Sequence, residues 1–299
     1  MIPIAFDPIY VLPLPENHRF PMEKYDLLQR QLIHEGTCEP EEFFSPAKID
    51  YHSIIAIHQK VYVERLKGLK LNKAEIRKIG FPISQQLIDR ELIIAGGTLS
   101  GSLKALKSGI AFNIAGGTHH AFSSHGEAFC LLNDQAIAAQ YLLENKLAKK
   151  ILIIDLDVHQ GNGTAKIFQK ENRVFTFSMH GKKNYPFKKE KSNLDIDLAD
   201  KTNDNTYLET LKEVLPKLFK KVRPDFIFYL SGVDILKSDR LGRLGVSMQG
   251  CKERDQMVLK YCYKEGIAVQ CSMGGGYSKD IKLIIEAHAN TYRVAKKIY

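Results

Sequence analysis

The stretch Ile151–Gly163 reads ILIIDLDVHQGNG and decides the fold. Its four consecutive aliphatic residues are typical of a parallel β-strand that is covered on both faces. Asp155, Asp157 and His159 follow at alternate positions, so their side chains point to one side of the extended chain. Open α/β sheets bind ligands at this end of their strands. Two carboxylates beside a buried strand are costly unless a positive group lies between them, which favours a metal ion.

The composition is that of an ordinary globular protein, with 299 residues, of which 44% are hydrophobic and 26% charged. The net charge is +9, but lysine pairs such as Lys182-Lys183 and Lys296-Lys297 are scattered along the chain. This pattern predicts a solvated basic surface, and nucleic acid is not expected as a direct ligand. The five cysteines form no C-x-x-C pair, which favours a reducing compartment without disulfides.

The start of the chain, Met1–Asp7, lacks the basic residues and the long apolar middle of a signal peptide. No apolar run approaches the ~20 residues that a membrane span requires. These two features predict a cytoplasmic protein without a membrane span.

Strands and helices alternate along most of the chain, which predicts a single α/β domain over residues 1–299. We expect a central, mostly parallel sheet with helices on both faces. Residues 2–7 are expected to form an edge strand, and residues 37–84 short helices and loops without a sheet signal. Further strands are expected at 111–114, 151–155, 174–178, 226–230 and 267–271, with a polar loop after the third of these. Helices are expected at 21–36, 84–107, 133–146, 164–170, 206–221, 249–264 and 279–297.

Four polar clusters come directly after predicted strands and should therefore meet at one rim of the sheet. They are Gly116–Ala121, Asp155–His159, Ser231–Asp234 and Gly274–Tyr277. Four strand ends that each deliver polar groups are typical of an active-site rim.

Asp157, His159 and Asp234 together offer two carboxylates and one imidazole to a divalent ion. Three protein ligands leave a further position open for water or substrate, as in catalytic zinc sites. Oxygen-rich ligation also accepts Fe(II), so the ligands do not decide between the two metals. Taken singly, Asp234 could cap a turn and His159 could be a hydrogen-bonded core histidine, but the D-x-D-x-H pattern favours the metal site.

The tandem pair His119-His120 suits proton transfer beside such a site, because histidine titrates near neutral pH. The alternative is a pair of solvated loop histidines. Asp155 could orient His119 or bind a second cation, and Asn162 could orient His120. Tyr277 follows three glycines, and its phenol could donate a hydrogen bond to a developing oxyanion.

The chain resembles the zinc-dependent histone deacetylase family from Pro8 to the final helix. The motifs that carry this resemblance occur in the order and approximate spacing of the family. They are GGTHHA, FCLLND, D-x-D-x-H-x-GNG, S-x-H, DRLGRL and GGGY. The chain looks most similar to the class IV branch and its bacterial relatives, because of Gly116-Gly117, Asn162 and the run Ile235–Leu244.

The resemblance implies an arginase/deacetylase fold and hydrolysis of an N-acyl-lysine amide, acetyl or longer. Asp157, His159 and Asp234 match the zinc ligands, His120 the general base and acid, and His119 its electrostatic partner. Tyr277 matches the residue that polarises the scissile carbonyl. A structural K⁺ or Na⁺ is also implied, at sites that match Asp155, Asp157, His159, Phe168, Val174, Ser178 and Met179. The acyl-lysine tunnel matches Phe129, Tyr185, Gly275 and Gly276.

The sequence departs from the family pattern at three places. Asn162 replaces an aspartate that many members place behind the second histidine, and a neutral partner would raise the pKa of His120 less. Ala128 stands where many members have glycine beside the tunnel phenylalanine. Gly80–Ser84 lacks the acidic residue with which some members hold the substrate backbone.

Three alternatives to a lysine deacylase remain open at this point. A ureohydrolase of the same fold would need a D-x-H-x-D pair, but Gly161 stands two positions after His159. A deacetylase of small acylated amines such as polyamines fits the motifs equally well. A non-catalytic acyl-lysine binding protein would have no need of a proton-transferring histidine. The sequence does not indicate acyl length, physiological substrate or oligomeric state, nor whether histones are substrates.

Overall fold

The computed structural model describes residues 1–299. Eight strands form one sheet, in which every neighbouring pair is parallel. The strands are β1 (Ile4–Ala5), β2 (Phe43–Phe44), β3 (Ile110–Asn113), β4 (Ile151–Asp155), β5 (Val174–Gly181), β6 (Leu194–Leu198), β7 (Phe226–Leu230) and β8 (Ala268–Ser272). Their order across the sheet is β2-β1-β3-β8-β7-β4-β5-β6, which confirms the predicted α/β class.

Ten α-helices accompany the sheet. They are α1 (Lys24–His34), α2 (Tyr51–Ile55), α3 (Lys60–Lys67), α4 (Lys73–Ile79), α5 (Gln85–Ser108), α6 (Asp134–Glu144), α7 (Asn162–Ile167), α8 (Asp204–Val222), α9 (Met248–Lys264) and α10 (Ile281–Ile298). None of them combines the length and the apolar character that crossing a bilayer requires.

Polar side chains cap the starts of three long helices, at the predicted residue Ser84 for α5 but one to two residues earlier than predicted for α8 and α9. The side chains of Ser84, Asn203 and Ser247 each accept a hydrogen bond from a backbone N–H of the first turn of α5, α8 and α9. Such caps satisfy N–H groups that have no partner within the helix.

Both edges of the sheet differ from the prediction. Residues 2–7 were expected to form an edge strand, but β1 spans Ile4–Ala5 and lies between β2 and β3. The edge is β2, whose two residues are too few to produce a periodic pattern. The opposite edge is β6, which lies within the predicted polar loop. Because β6 pairs on one side only, its acidic residues Asp195 and Asp197 can stay in contact with water.

Glycines inside α5 allow another segment to approach closely. A Cβ added at Gly96 would lie 1.9 Å from the carbonyl oxygen of Ala47. Only a residue without a side chain fits this contact, which explains a glycine that would otherwise cost a helix about 1 kcal/mol.

The four central strands β3, β8, β7 and β4 are neighbours in the sheet. Nearly all their residues are buried, and most of the apolar ones belong to a single cluster that continues into the packed helices. The four polar clusters follow these four strands. Because parallel strands end at the same edge of a sheet, the clusters meet at one place, as the sequence predicts.

Candidate active site

Asp157, His159 and Asp234 form a buried group whose potential ligand atoms all lie within 4.8 Å of one another. The Nδ1 atom of His159 is 3.0 Å from an oxygen of Asp157 and 3.1 Å from an oxygen of Asp234. Asp157 and His159 come from the segment after β4, whereas Asp234 comes from the segment after β7.

The charges of this group favour a bound cation. Burial and the neighbouring Asp157 raise the pKa of Asp234 to about 7. Burial opposes protonation of His159, but both carboxylates outweigh it and raise the pKa of the imidazole to about 10. Two carboxylates in such an environment repel each other unless a positive charge joins them. One imidazole nitrogen and two carboxylate oxygens are ligands that Zn(II) and Fe(II) accept, so the donor set fits a divalent metal.

Backbone groups hold both carboxylates in place. The N–H of Val158 donates to Asp234 over 2.9 Å, and the N–H of His159 donates to Asp157 over 2.9 Å. Gly275, from the segment after β8, donates to the other oxygen of Asp157 over 2.8 Å. The carboxylates are thus oriented by peptide groups rather than by mobile side chains.

The two histidines of the tandem pair have different partners, as the sequence predicts. The Nδ1 atom of His119 lies 2.8 Å from an oxygen of Asp155, and the Nδ1 atom of His120 lies 2.6 Å from the side-chain oxygen of Asn162. Their ring centres are 4.1 Å apart, and the His120 ring is 5.9 Å from that of His159.

These partners give the two imidazoles opposite properties. Burial and the nearby His119 and His159 lower the pKa of His120 well below its ordinary value. Burial acts in the same direction on His119, but the Asp155 carboxylate outweighs it and raises the pKa of His119. His120 is therefore a neutral imidazole that can accept a proton, whereas His119 is the better place for a positive charge.

Tyr277 lies beside the metal group, with its ring centre 6.4 Å from that of His159. Its backbone N–H donates to Asp239 over 2.6 Å. Burial, together with Asp157 and Asp234, raises the pKa of the Tyr277 phenol well above its ordinary value. The phenol therefore keeps its proton and can serve as a hydrogen-bond donor.

A cavity of about 710 Å³ opens above these residues. Phe129 and Tyr185 both line it, as predicted for tunnel walls, and Tyr185 packs edge-on against His120 with ring centres 5.1 Å apart. Gly275 also lines the cavity. Gly276 does not contribute to the wall: a Cβ there would point at Val233 and Ile284, because the backbone turns back into the core.

Residues predicted to hold a monovalent cation fall into two places. Ser178 is the register partner of Asp155, and Met179 follows it in the buried part of β5. The Ser178 hydroxyl lies 2.9 Å from Nδ1 of His180. Phe168 comes directly after α7 and Val174 begins β5, so these two residues enclose a separate short turn. The ligand roles of these residues remain predictions.

Two charged residues at the site were not predicted from the sequence. Lys24 is fully buried; its Nζ lies 3.2 Å from the carbonyl oxygen of Gly274 and 5.3 Å from the Tyr277 ring centre. Its position one turn before Leu28, on the apolar side of α1, was a signal that it is buried. Glu127 is also buried, and its carboxylate accepts a hydrogen bond of 2.6 Å from the side-chain amide of Asn162. No spacing in the sequence indicates that contact.

A family model described as the histone deacetylase domain matches residues 18–292. An uncharacterized protein of Picosynechococcus sp. is 43% identical over 298 residues, which are 99% of each chain. Histone deacetylase 2 of Arabidopsis thaliana is 27% identical over 278 residues, covering 90% of this chain and 72% of that protein. The acetoin utilization protein AcuC of Staphylococcus aureus is 29% identical over 288 residues, covering 88% and 73%.

Among solved structures, the HDA15 HD domain superposes with a TM-score of 0.83 at 20% identity, covering 99% of this chain and 88% of that one. This likeness concerns the fold alone. The family model, however, spans nearly the whole sequence and includes all four polar clusters. The chain belongs to the histone deacetylase family.

Proposed function

We propose that the protein is a metal-dependent lysine deacylase, which hydrolyses the amide between an acyl group and the lysine side-chain amine. The observation that carries this proposal is the buried group of Asp157, His159 and Asp234, which lies beside the His120–Asn162 pair at a cavity. Membership of the histone deacetylase family supports it.

Asp157, His159 and Asp234 would hold the divalent ion, either Zn(II) or Fe(II). Bound there, such an ion polarises an acyl oxygen and lowers the pKa of a coordinated water. Lys24 adds a buried positive charge on the same side as Tyr277, and burial lowers its pKa to about 8.

His120 would act first as a base and then as an acid. Its Nδ1 atom is occupied by Asn162, so Nε2 is the atom left to take a proton from the attacking water. The same nitrogen then gives that proton to the departing lysine amine. The charge on His119, held by Asp155, would make the developing positive charge on His120 short-lived and favour its return to the neutral form.

Tyr277 would donate its phenolic hydrogen to the oxygen of the tetrahedral intermediate. Its raised pKa keeps the hydrogen available at neutral pH. Phe129 and Tyr185 provide aromatic surface for the aliphatic part of the lysine side chain. For the structural cation we propose K⁺ or Na⁺, with Asp155 and Ser178 among the ligands.

The charges around the cavity favour an acyl-lysine flanked by neutral or acidic residues over an acetylated polyamine as the substrate. The exposed cations Arg19, Lys183, Arg240 and Arg243 line the cavity, and its only acidic lining residue is Asp157. Arg243 and Lys183 share the single carboxylate of Asp200, at 2.6 and 4.0 Å. Acetylated polyamines carry positive charge and would be repelled by this rim, whereas carboxylates would be attracted.

A non-catalytic acyl-lysine binding protein is the second candidate. The neutral, hydrogen-bonded His120 and the protonated Tyr277 argue against it, because binding an acyl group requires neither. A panel of acyl-lysine peptides, from acetyl to long chain, together with acetylated polyamines, separates the candidates. We expect amine release from at least one peptide and little from polyamines. Binding of acyl-lysine without release by the metal-loaded protein would overturn the proposal.

A further inference from the structure

Glu127 lies behind the His120–Asn162 pair and is 3% exposed. One of its carboxylate oxygens accepts the 2.6 Å hydrogen bond from the Asn162 amide nitrogen. The other contacts the Lys78 ammonium and lies 3.6 Å from Nε2 of His125. A continuous path of side chains therefore runs from His120 to the protein surface.

The backbone around Glu127 is tied to the end of α4. The N–H of Ala128 donates to the carbonyl of Lys78 over 2.9 Å, and the N–H of Phe129 donates to that of Ile79 over 2.7 Å. Ala128 and Phe129 both adopt positive φ, at 46° and 66°. Residues other than glycine rarely adopt this backbone conformation, and here the two hydrogen bonds to the end of α4 hold it. Glu127 and Phe129 therefore belong to one short, fixed segment.

The charge state of Glu127 limits how it can bind. Burial favours the neutral acid, but the neighbouring His125, Lys78, Tyr185 and Asn162 outweigh burial and lower the pKa of Glu127. Above that low pKa the carboxylate is ionised, and an ionised carboxylate only accepts hydrogen bonds.

An asparagine amide has one accepting end and one donating end, which are nearly the same in size and shape. The Glu127 carboxylate does distinguish them, because it must face the NH₂ group of Asn162. The carbonyl oxygen of Asn162 must then face His120, and the Nδ1 atom of His120 must carry the hydrogen. The proton-accepting lone pair is left on Nε2.

We propose that Glu127 is a positioning residue for the deacylase reaction: by fixing the Asn162 amide, it selects the tautomer in which Nε2 of His120 is the base. The Glu127 carboxylate also supplies, through the amide, the negative charge that Asn162 itself lacks. The catalytic consequence rests on the proposed function, whereas the choice of tautomer is a property of the folded protein and is measured without substrate.

The first experiment measures the tautomer. Zinc-loaded protein labelled with ¹⁵N-histidine is examined by NMR, with His120→Gln used to assign the His120 signals. We expect wild type to show one neutral form with the hydrogen on Nδ1. Glu127→Gln removes the acceptor-only partner, so Asn162 can turn and both tautomers should appear. A single, unchanged tautomer in Glu127→Gln would overturn the proposal.

The second experiment tests the negative charge by moving it from position 127 to position 162, which is in contact with His120. Glu127→Gln should lower kcat about tenfold or more while KM changes less than about twofold, since partners of active-site ligands typically contribute 10- to 100-fold. Asn162→Asp alone places two carboxylates in contact and should also lower kcat. The double variant Glu127→Gln/Asn162→Asp has a single carboxylate, at position 162. This carboxylate would accept hydrogen bonds from Nδ1 of His120 and from the introduced glutamine amide. We expect its kcat to recover to within about threefold of wild type.

Glu75→Gln is the matched control. Glu75 pairs with Arg65 and caps the start of α4, so its loss disturbs the helix that carries Lys78 but touches neither Asn162 nor His120. We expect wild-type tautomer and kcat in this variant. If the double variant stays as slow as Glu127→Gln, the charge role is overturned. If wild type lacks deacylase activity, the proposed function fails, and the NMR result still decides the role of Glu127.

Discussion

The backbone N–H of Gly275 donates a 2.8 Å hydrogen bond to Asp157, which precedes it by 118 residues. This bond joins the segments after β8 and β4 at the metal group. It exists because the Cα of Gly275 approaches both carboxylates: an added Cβ would lie 2.0 Å from an oxygen of Asp234 and 2.8 Å from an oxygen of Asp157. Gly275 therefore positions a carboxylate of the metal group and also forms part of the cavity wall.

Replacing Gly275 by alanine should separate the two carboxylates and weaken metal binding at least tenfold, the usual size of effects on groups that orient ligands. Competition with a chromogenic chelator measures the affinity directly. Gly101→Ala is the control, because its added Cβ would meet no atom closer than 3.7 Å. Wild-type metal affinity in Gly275→Ala would contradict the assigned packing.

Removal of the metal should abolish activity, and Zn(II) or Fe(II) should restore it. Asp234→Asn keeps the size of the side chain but removes one of the two charges that attract the cation. We expect this variant to bind metal at least tenfold more weakly, and to show a smaller rise of Tm when zinc is added than wild type does. Full activity after chelation, with metal content verified as negligible, would exclude the metal-dependent reaction.

Tyr277→Phe should lower kcat by about 10²–10³, because one donor to the developing oxyanion is lost. Metal content should change little, since Tyr277 is not part of the metal group. KM should change less than kcat, since a contact made mainly in the transition state is lost. Tyr207→Phe is a suitable control: the Tyr207 hydroxyl is buried in α8 without a hydrogen-bond partner. A kcat within twofold of wild type in Tyr277→Phe would remove the proposed role.

The sequence predicted most of what lies in the centre of the molecule. β4 and β7 begin and end at the predicted residues, because strands buried on both faces are continuous apolar runs. The pairs His119–Asp155 and His120–Asn162 were expected and are present. These predictions succeeded because the residues follow strands whose ends are neighbours in a parallel sheet.

What the sequence did not predict depends on contacts between distant segments. β2 and β6 are edge strands, one too short and one too polar for a periodic signal. Lys24 and Glu127 approach the site from α1 and from the segment tied to α4, neither of which ends at the sheet edge. Lys24 contacts Gly274 and Glu127 contacts Asn162, partners that are far away in sequence, so no local pattern indicates these contacts.

The basic rim should select substrates by charge. An acetyl-lysine peptide with flanking glutamates should have a lower KM than the same peptide with flanking lysines, and added salt should reduce the difference by screening. In Arg19→Glu/Lys183→Glu the preference should shrink or reverse, whereas kcat should be nearly unchanged. The matched control Lys260→Glu reverses an exposed charge in α9, outside the cavity lining. Equal KM values for the two peptides would refute the role of the rim.

His58 should make the fold sensitive to acid. It is buried, with Nδ1 placed 3.0 Å from the carbonyl oxygen of Phe122, and its Nε2 accepts a 3.0 Å hydrogen bond from the N–H of Asn133. A proton on Nε2 would face that N–H and break the bond. Burial accordingly lowers the pKa of His58 to about 4 from its ordinary value of 6.5.

The unfolded chain therefore binds a proton at His58 at higher pH than the native protein does, so acid favours unfolding. The contribution of His58 to the free energy of unfolding is fully present above pH 6.5. It is lost as the pH falls from 6.5 to about 4, and it amounts to at most about 3 kcal/mol. Urea unfolding at pH 7.5, 6.0 and 4.5 measures it. His58→Gln, which can donate to Phe122 and accept from Asn133 without titrating, should show a shallower decline, whereas replacement of the exposed His52 by Gln should leave the wild-type decline unchanged. Equal declines in wild type and His58→Gln would show that other groups cause the acid sensitivity.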